Sequence, residues 1–290
     1  FFRKIGINRN IFCNFAGEME RCIRLHGRLL DVSHPKVMAI VNLSADSFYT
    51  SCNAFDEEGL LSYVDNVLKA GADILDIGAC STRPNSIAVD EDEEWLHLSQ
   101  GLSAIRHHWS HIPISVDTFR SGIAERAIHH GADMINDVYG GCKDVAIWDV
   151  VAKYKVPYVL THAVENAPQE ASNLITSQVL RFMQEKLDYL RQQGVADVVV
   201  DPGFGFGKTL EQNYSLLRNL EILQSLHSPI LVGISRKSML YKPLHATPSD
   251  VIHATVAANT LALERGANIL RVHDVDAAVQ AIKIYELTNM

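Results

Sequence analysis

From about residue 37 onward the chain alternates between two hydrophobic patterns. Short runs rich in β-branched residues are each followed by a polar or glycine-containing turn, and then by a longer stretch with apolar positions at helical spacing. Short continuous apolar runs fit strands covered on both faces, and their alternation with helices marks parallel βα units. The runs are Val37–Val41, Ile74–Ile77, Ile112–Val116, Met134–Val138, Tyr158–Thr161, Val198–Val200, Ile230–Ile234 and Ile269–Val272. The amphipathic stretches are Glu57–Ala70, Glu91–Trp109, Ser121–His130, Asp144–Lys155, Ser172–Gln193, Leu210–Leu226, Ser249–Glu264 and Asp274–Tyr285. Eight strands and eight helices within about 250 residues predict an α/β fold, the (β/α)8 TIM barrel. An open doubly wound sheet is the alternative.

Glycine punctuates the helix ends, as in Ala70-Gly71-Ala72-Asp73, His130-Gly131-Ala132-Asp133 and Arg265-Gly266-Ala267-Asn268, where the chain must leave the helix in a left-handed conformation. Residues 1–36 precede the first strand. Within them Arg24-Leu25-His26-Gly27-Arg28-Leu29-Leu30 reads as a short hairpin around a glycine turn, placed to plug the bottom of the barrel. One domain over residues 1–290 is expected, with 1–36 as an N-terminal extension and hairpin.

Composition narrows the class. The 290 residues carry 34 acidic and 26 basic side chains, a net charge of −8, which argues against a nucleic-acid binder with its basic face. Hydrophobic residues at 47% and charged residues at 21% exclude a disordered chain. No apolar window reaches the ~18 residues of a membrane span. The N-terminal stretch is broken by Asn8, Arg9, Asn10 and Asn14 before a signal-peptide core could form, so a cytoplasmic protein without a membrane partner is expected. The five cysteines are scattered, with no CxxC and no paired Cys/His spacing, so neither a disulfide framework nor a zinc site is expected.

In a parallel barrel the active site gathers where the strands end, and here those ends are polar. The first strand exits into Asn42, the second carries Asp76 and leads to Ser81-Thr82-Arg83, the third ends at Asp117 and the fourth reaches Asn136-Asp137. The fifth ends at Thr161-His162, the sixth at Asp201, the seventh leads to Ser235-Arg236-Lys237-Ser238, and the eighth carries Arg271 and His273. Any one of these could be a helix cap or a turn former. Together they are hard to explain that way, because ionisable groups on apolar strands are costly unless paired or liganded. Arg83, Arg271 and Lys237 with His273 could form an anion pocket for a phosphate or pyrophosphate, although ion pairs with Asp76, Asp117 or Asp137 would occupy them equally well. The loop Asp201-Pro202-Gly203-Phe204-Gly205-Phe206-Gly207-Lys208-Thr209 fails the Walker pattern, since Pro202 stands where glycine is required, and it lacks the third glycine of the dinucleotide fingerprint. Its glycines still allow a flat ligand close to the backbone.

Four blocks in order resemble the dihydropteroate synthases of folate biosynthesis. They are Val37-Met38-Ala39-Ile40-Val41-Asn42-Leu43-Ser44-Ala45-Asp46-Ser47-Phe48; Asp76-Ile77-Gly78 with Ser81-Thr82-Arg83-Pro84; Asp201-Pro202-Gly203-Phe204-Gly205-Phe206-Gly207-Lys208; and Ser235-Arg236-Lys237-Ser238 with Arg271-Val272-His273-Asp274. The resemblance runs from about residue 24 to 287 and implies a TIM barrel that joins 6-hydroxymethyl-7,8-dihydropterin pyrophosphate to p-aminobenzoate, releasing pyrophosphate and 7,8-dihydropteroate. It also implies Mg2+ as cofactor, Asn42 at the metal and pyrophosphate, and Thr82 and Arg83 in a loop over the leaving group. Asp201, Asn136 and Asp117 would hold the pterin edge and Lys237 its carbonyl side. Arg271 and His273 would sit at the anion pocket, and Phe206, Lys237 and Ser238 beside p-aminobenzoate. Asn42, Arg83, Lys237 and Arg271 are thereby the candidate catalytic residues. A homodimer through the last helices is implied as well.

The sequence departs from the family pattern in places. Ser44-Ala45 replace the usual Thr-Pro, Ala79-Cys80 stand where Gly-Glu is common, Asn85 where Gly is common, and Thr161-His162-Ala163 replace Met-His-Met. Three other readings compete. A pterin-dependent methyltransferase-like barrel would not need the pyrophosphate loops. An aldolase-like barrel would use Lys237 as a Schiff base, which requires a lowered pKa. A pterin-binding protein that has lost turnover would keep only the pocket.

Overall fold

The computed structural model describes residues 22–25, 27–43, 55–80, 90–163 and 174–289. The N-terminal hairpin is present as β1 (Cys22–Leu25) and β2 (Arg28–Asp31), paired antiparallel with Ile23 opposite Leu30. Residues 1–21 lie outside the described residues.

The barrel strands are β3 (Lys36–Asn42), β4 (Ile74–Gly78), β5 (Ile114–Asp117), β6 (Met134–Asp137), β7 (Tyr158–Thr161), β8 (Val198–Asp201), β9 (Leu231–Val232) and β10 (Ile269–Val272). They form one sheet of eight parallel strands in the order β8-β7-β6-β5-β4-β3-β10-β9. A parallel bridge between Val200 and Ile230 joins the two ends. That closure excludes the open sheet and establishes the (β/α)8 barrel. The intervening helices are α1 (Glu57–Lys69), α2 (Glu91–His108), α3 (Ser121–His129), α4 (Ile147–Tyr154), α5 (Ile175–Gln192), α6 (Leu210–Arg218), the one-turn α7 (Ser238–Tyr241), α8 (Ile252–Leu263) and α9 (Val275–Thr288).

Several helix boundaries differ from the sequence reading, each because a side chain takes up backbone groups. The stretch expected to begin at Asp144 turns helical at Ile147, because the Asp144 carboxylate accepts from the N–H groups of Ser121 and Ala146. The stretch Leu210–Leu226 breaks at Asn219, whose side chain donates back to the Ser215 carbonyl, and continues as a 3₁₀ turn over Leu220–Leu226. Helix α8 starts at Ile252 rather than Ser249, because Thr247 and Asp250 close a capping box over a short 3₁₀ turn. The expected start at Ser172 lies outside the described residues.

Side chains alternate across each strand, and two buried clusters reveal which way each points. Val37, Leu75, Val116, Ile135, Tyr158, Leu160, Val200 and Leu270 belong to the cluster between the sheet and its helices. Met38, Ile74, Met134, Val159, Val199, Leu231 and Ile269 face the barrel axis, where Ile23, Leu25 and Val32 of the hairpin region cover them from below. The expected plug is therefore in place, and it seals the lower interior with apolar surface.

Candidate active site

Two residues beyond that apolar layer, the same alternation turns polar side chains toward the axis: Asp76, Ser115, Asn136, Thr161, Asp201 and Arg271, with Asn42, Asp117 and His273 at the rim. All but Asn42, Arg271 and His273 are buried. Just past β9 the corresponding residue is Gly233, where a Cβ would come 3.9 Å from Arg271 and 4.0 Å from Asp201. One staff of the barrel thus contributes no side chain, and a cleft opens between a cation and a carboxylate.

A charged network crosses the cleft floor. Arg271 donates from Nε to Asp76 Oδ2 at 2.6 Å and from Nη2 to Asp117 Oδ2 at 2.6 Å. Asn136 Nδ2 donates to the same Asp76 oxygen at 3.0 Å. Burial and two carboxylate partners pull the Arg271 guanidinium in opposite directions, and the carboxylates win, holding it above its ordinary value. Burial pushes the Asp117 carboxyl up to about 7 against the pull of Arg271, with Asp76 and Asp137 adding repulsion. Asp76 Oδ1, Asn136 Oδ1, Ser115 Oγ and Thr161 Oγ1 are buried with no hydrogen-bond partner among the described residues. Buried polar atoms are rarely left so in native proteins, and here they converge on one space. By contrast Asp137, on the outer face of β6, accepts from the Tyr158 hydroxyl at 2.7 Å and from the N–H groups of Tyr139 and Gly141 at 2.8 and 2.7 Å. Among the described residues it pairs with no cation, and it serves structure.

The opposite wall comes from the loop after β8. Asp201 accepts from the Gly203 N–H at 2.7 Å, and its carboxyl is raised by burial, opposed by Lys237, Arg271 and Lys208. Gly203 adopts φ +70, and a Cβ there would lie 2.0 Å from the His162 carbonyl oxygen, so only glycine allows the turn. The Lys208 ammonium reaches into that turn and donates to the carbonyls of His162 at 2.9 Å, Gly203 at 2.7 Å and Phe206 at 3.3 Å. Burial lowers its pKa to about 7, partly offset by Asp201. The same burial and the nearby Lys208 charge hold His162 neutral, lowered to about 3.

Lys237 is aimed by the turn before it. Arg236 takes a left-handed φ of 56, a conformation costly for a residue with a Cβ. It is held there by a fork to Asp274, Nε to Oδ2 at 3.0 Å and Nη2 to Oδ1 at 2.5 Å. Lys237 then donates to the Phe204 carbonyl, with its ammonium 4.5 Å from the centre of the Phe206 ring. Burial lowers it to about 8 while Asp201 resists. The carbonyl that Lys237 grips and the Asp201 carboxylate that faces it suit an ammonium acting as a hydrogen-bond donor. His273 shares a hydrogen bond of 3.0 Å between Nδ1 and Ser235 Oγ, and Ser238 opens α7 beside them.

The structure brings together Asn42, Asp117, Asn136, Asp201, Phe206, Lys237, Ser238, Arg271 and His273 at one end of the barrel. Thr82 and Arg83 lie outside the described residues. Asp76 and Thr161 were noted in the sequence at their strand ends and Lys208 in the glycine loop, but none was given a role, and Ser115 was not noted at all. Ser115 sits at an inward position of its strand, so carrying the alternation through the apolar run would have found it. The position of Lys208 depends on the fold of the glycine loop and left no such signal.

Comparison with known proteins agrees with this geometry. The model of the family described as pterin binding enzyme matches residues 38–273. The dihydropteroate synthase of Clostridium beijerinckii is 37% identical over 254 residues, 87% of this chain and 93% of that one. A solved dihydropteroate synthase of Xanthomonas albilineans with 4-aminobenzoic acid superimposes with a TM-score of 0.86 at 35% identity, covering 93% of this chain and 98% of the other. A complex of the enzyme from the same organism with 7,8-dihydropteroate gives a TM-score of 0.82 at 33% identity, covering 92% and 98%.

Proposed function

The chain belongs to the pterin-binding enzymes and, within them, to the dihydropteroate synthases, transferases of folate biosynthesis, and from that premise we propose how its own residues carry the reaction. The substrates are 6-hydroxymethyl-7,8-dihydropterin pyrophosphate and p-aminobenzoate, and the products 7,8-dihydropteroate and pyrophosphate. The observation that carries the reading is the ring of polar groups at the strand ends, where Asp201, Asn136 and Asp117 offer acceptor oxygens and Lys237 and Arg271 offer donors. A pterin has a guanidine-like edge that needs acceptors and a ring carbonyl that needs a donor. Asp201 and Asn136 take the edge, Asp117 the ring N–H groups near it, and Lys237 the carbonyl side.

The bond from the pterin's methylene carbon to the pyrophosphate oxygen breaks, and the arylamine nitrogen forms the new bond to that carbon, losing one proton to the departing pyrophosphate or to water. The amine already holds its lone pair, so no residue is assigned as general base. Arg271 and His273 face the leaving group, and Thr82 and Arg83 are proposed to cover it. Preorganised donors at such a position stabilise developing charge by several kcal/mol in the transition state, on the order of 3 for a single donor. Phe206 and the stem of Lys237 offer an apolar wall to the aromatic ring of the amine, with Ser238 at its edge.

Among the described residues no group of three or more His, Cys, Asp or Glu side chains could hold a metal by itself. Mg2+ usually takes one or two protein oxygens and completes its shell with water and substrate phosphates. Asn42, at the inward end of β3, offers a hard amide oxygen of this kind. When bound there, Mg2+ would neutralise charge on the pyrophosphate. We extend the proposal to a homodimer through the last two helices, which leave Leu261, Ile284 and Leu287 exposed; sedimentation at micromolar concentration tests it. No described helix is long and apolar enough to cross a membrane.

Pyrophosphate release by the purified protein, measured with and without the amine and Mg2+, tests the function. Release that needs both and yields dihydropteroate is expected. Binding of the ester without turnover would move the pterin-binding protein to the front, and a methyl group transferred from a reduced folate would favour the methyltransferase.

A further inference from the structure

Resting on the function proposed above, we propose that Thr161 is a specificity-determining residue, whose hydroxyl hydrogen-bonds the polar edge of the pterin ring between Asn136 and Asp201.

Strand β7 turns Tyr158 and Leu160 toward the helices and Val159 toward the barrel axis, so Thr161 points into the cleft. Its register partner on β8 is Asp201, and on the other side Val159 pairs with Asn136 of β6. Thr161 is fully buried, and its hydroxyl has no hydrogen-bond partner among the described residues. The nearby cation does not serve it, since Lys208 gives its hydrogens to three backbone carbonyls. Nor does the Asp137–Tyr158 pair, which lies on the far side of the sheet.

A valine would fill the same strand position with nearly the same shape and no polar atom to desolvate. Among the described residues nothing repays the burial of the hydroxyl, and a partner that arrives with a ligand would do so. Two further unpartnered oxygens, Asn136 Oδ1 and Ser115 Oγ, lie on the next two strands, so the side of the cleft lined by β5, β6 and β7 carries three unpaired polar groups, one an acceptor and two hydroxyls. A flat nitrogen heterocycle with an amino group, ring N–H and bare ring nitrogens supplies both kinds of partner.

The test is binding of 6-hydroxymethylpterin, followed by the probe's own fluorescence, to wild-type protein and to Thr161→Val and Thr161→Ser, with thermal unfolding of each. The probe requires neither metal nor the second substrate. Thr161→Val should bind about 5–10-fold more weakly, the loss of one hydrogen bond, while unfolding at the same or a higher temperature. Thr161→Ser should bind within about twofold of wild type, because it keeps the hydroxyl. Equal affinity of Thr161→Val and wild type would overturn the inference, as would equal weakening by both variants, which would implicate the methyl group instead. Wild-type protein that binds no pterin would overturn the functional reading, and this inference with it. A wild type that binds pterin alongside an unaffected Thr161→Val would sink this inference alone.

Discussion

The lower and upper halves of the barrel interior lie on the same strands, two residues apart, and obey opposite rules. Below, Met38, Ile74, Met134, Val159, Val199, Leu231 and Ile269 meet the hairpin in a dry, apolar layer. Above, Asp76, Ser115, Asn136, Thr161, Asp201 and Arg271 bring charge and unpartnered oxygens to positions that, Arg271 apart, are just as buried. The lower layer gains its stability from apolar burial at roughly 25 cal/mol per Å2. The upper layer works against stability, since burying carboxylates and ammonium groups costs several kcal/mol per ion, on the order of what a good ion pair returns. Division of labour along a strand is the lesson: one end holds the barrel together, and the other is built for a ligand that completes it.

That division can be broken from either side. Asp201→Ala should cost the most, lowering kcat/KM for the pterin substrate by about 10³-fold, as expected for two charge-assisted hydrogen bonds, with the far-UV circular dichroism unchanged. Met38→Ala should do the reverse. A cavity in the apolar layer should cost about 3 kcal/mol in urea unfolding, while the rate below the transition stays within about twofold of wild type.

Asp76→Asn tests the joint between the network and catalysis. The amide keeps the shape but loses the charge that fixes Arg271, so kcat/KM should fall by about 30-fold in steady-state assays.

The upper layer should also reveal itself in pH dependence. Lys237 must be protonated to donate, so kcat/KM should fall as pH rises through about 8. Asp117 must be ionised to accept, so it should also fall as pH drops through about 7. The profile is a narrow bell with its summit between the two, read from initial rates across buffers of constant ionic strength. The smallest effect belongs at the rim of the lower half. Arg24 is 65% exposed and pairs with Asp197 at 3.1 Å, and Arg24→Ala should change stability by less than about 1 kcal/mol and leave the rate unaltered.

Much of this was legible in the sequence because both signals were local. A strand buried on two faces reads as an apolar run, and a polar residue where the run ends reads as a candidate; Asp117, Asp201 and His273 were found that way, and Arg271 as a charge inside its run. Asp76 lies inside its run, in Ile74-Leu75-Asp76-Ile77, and it stood out on its strand but was given no role. Only the structure shows it to be the carboxylate shared by Arg271 and Asn136. Lys208 was illegible for a different reason. Its three carbonyl partners come from two loops, and no pattern along one stretch of chain encodes a contact between two. The shifted helix starts at Ile147 and Ile252 come from side chains that capture backbone groups locally, a competition that hydrophobic spacing does not register.

The most direct test of the account is calorimetric titration of the dihydropterin pyrophosphate, with Mg2+ and without amine, into wild-type, Asp201→Ala and Met38→Ala proteins side by side. Affinity should be at least about 100-fold weaker in Asp201→Ala and unchanged in Met38→Ala. Equal binding by all three, or equal weakening in the two variants, would contradict the claim that the upper layer alone grips the substrate.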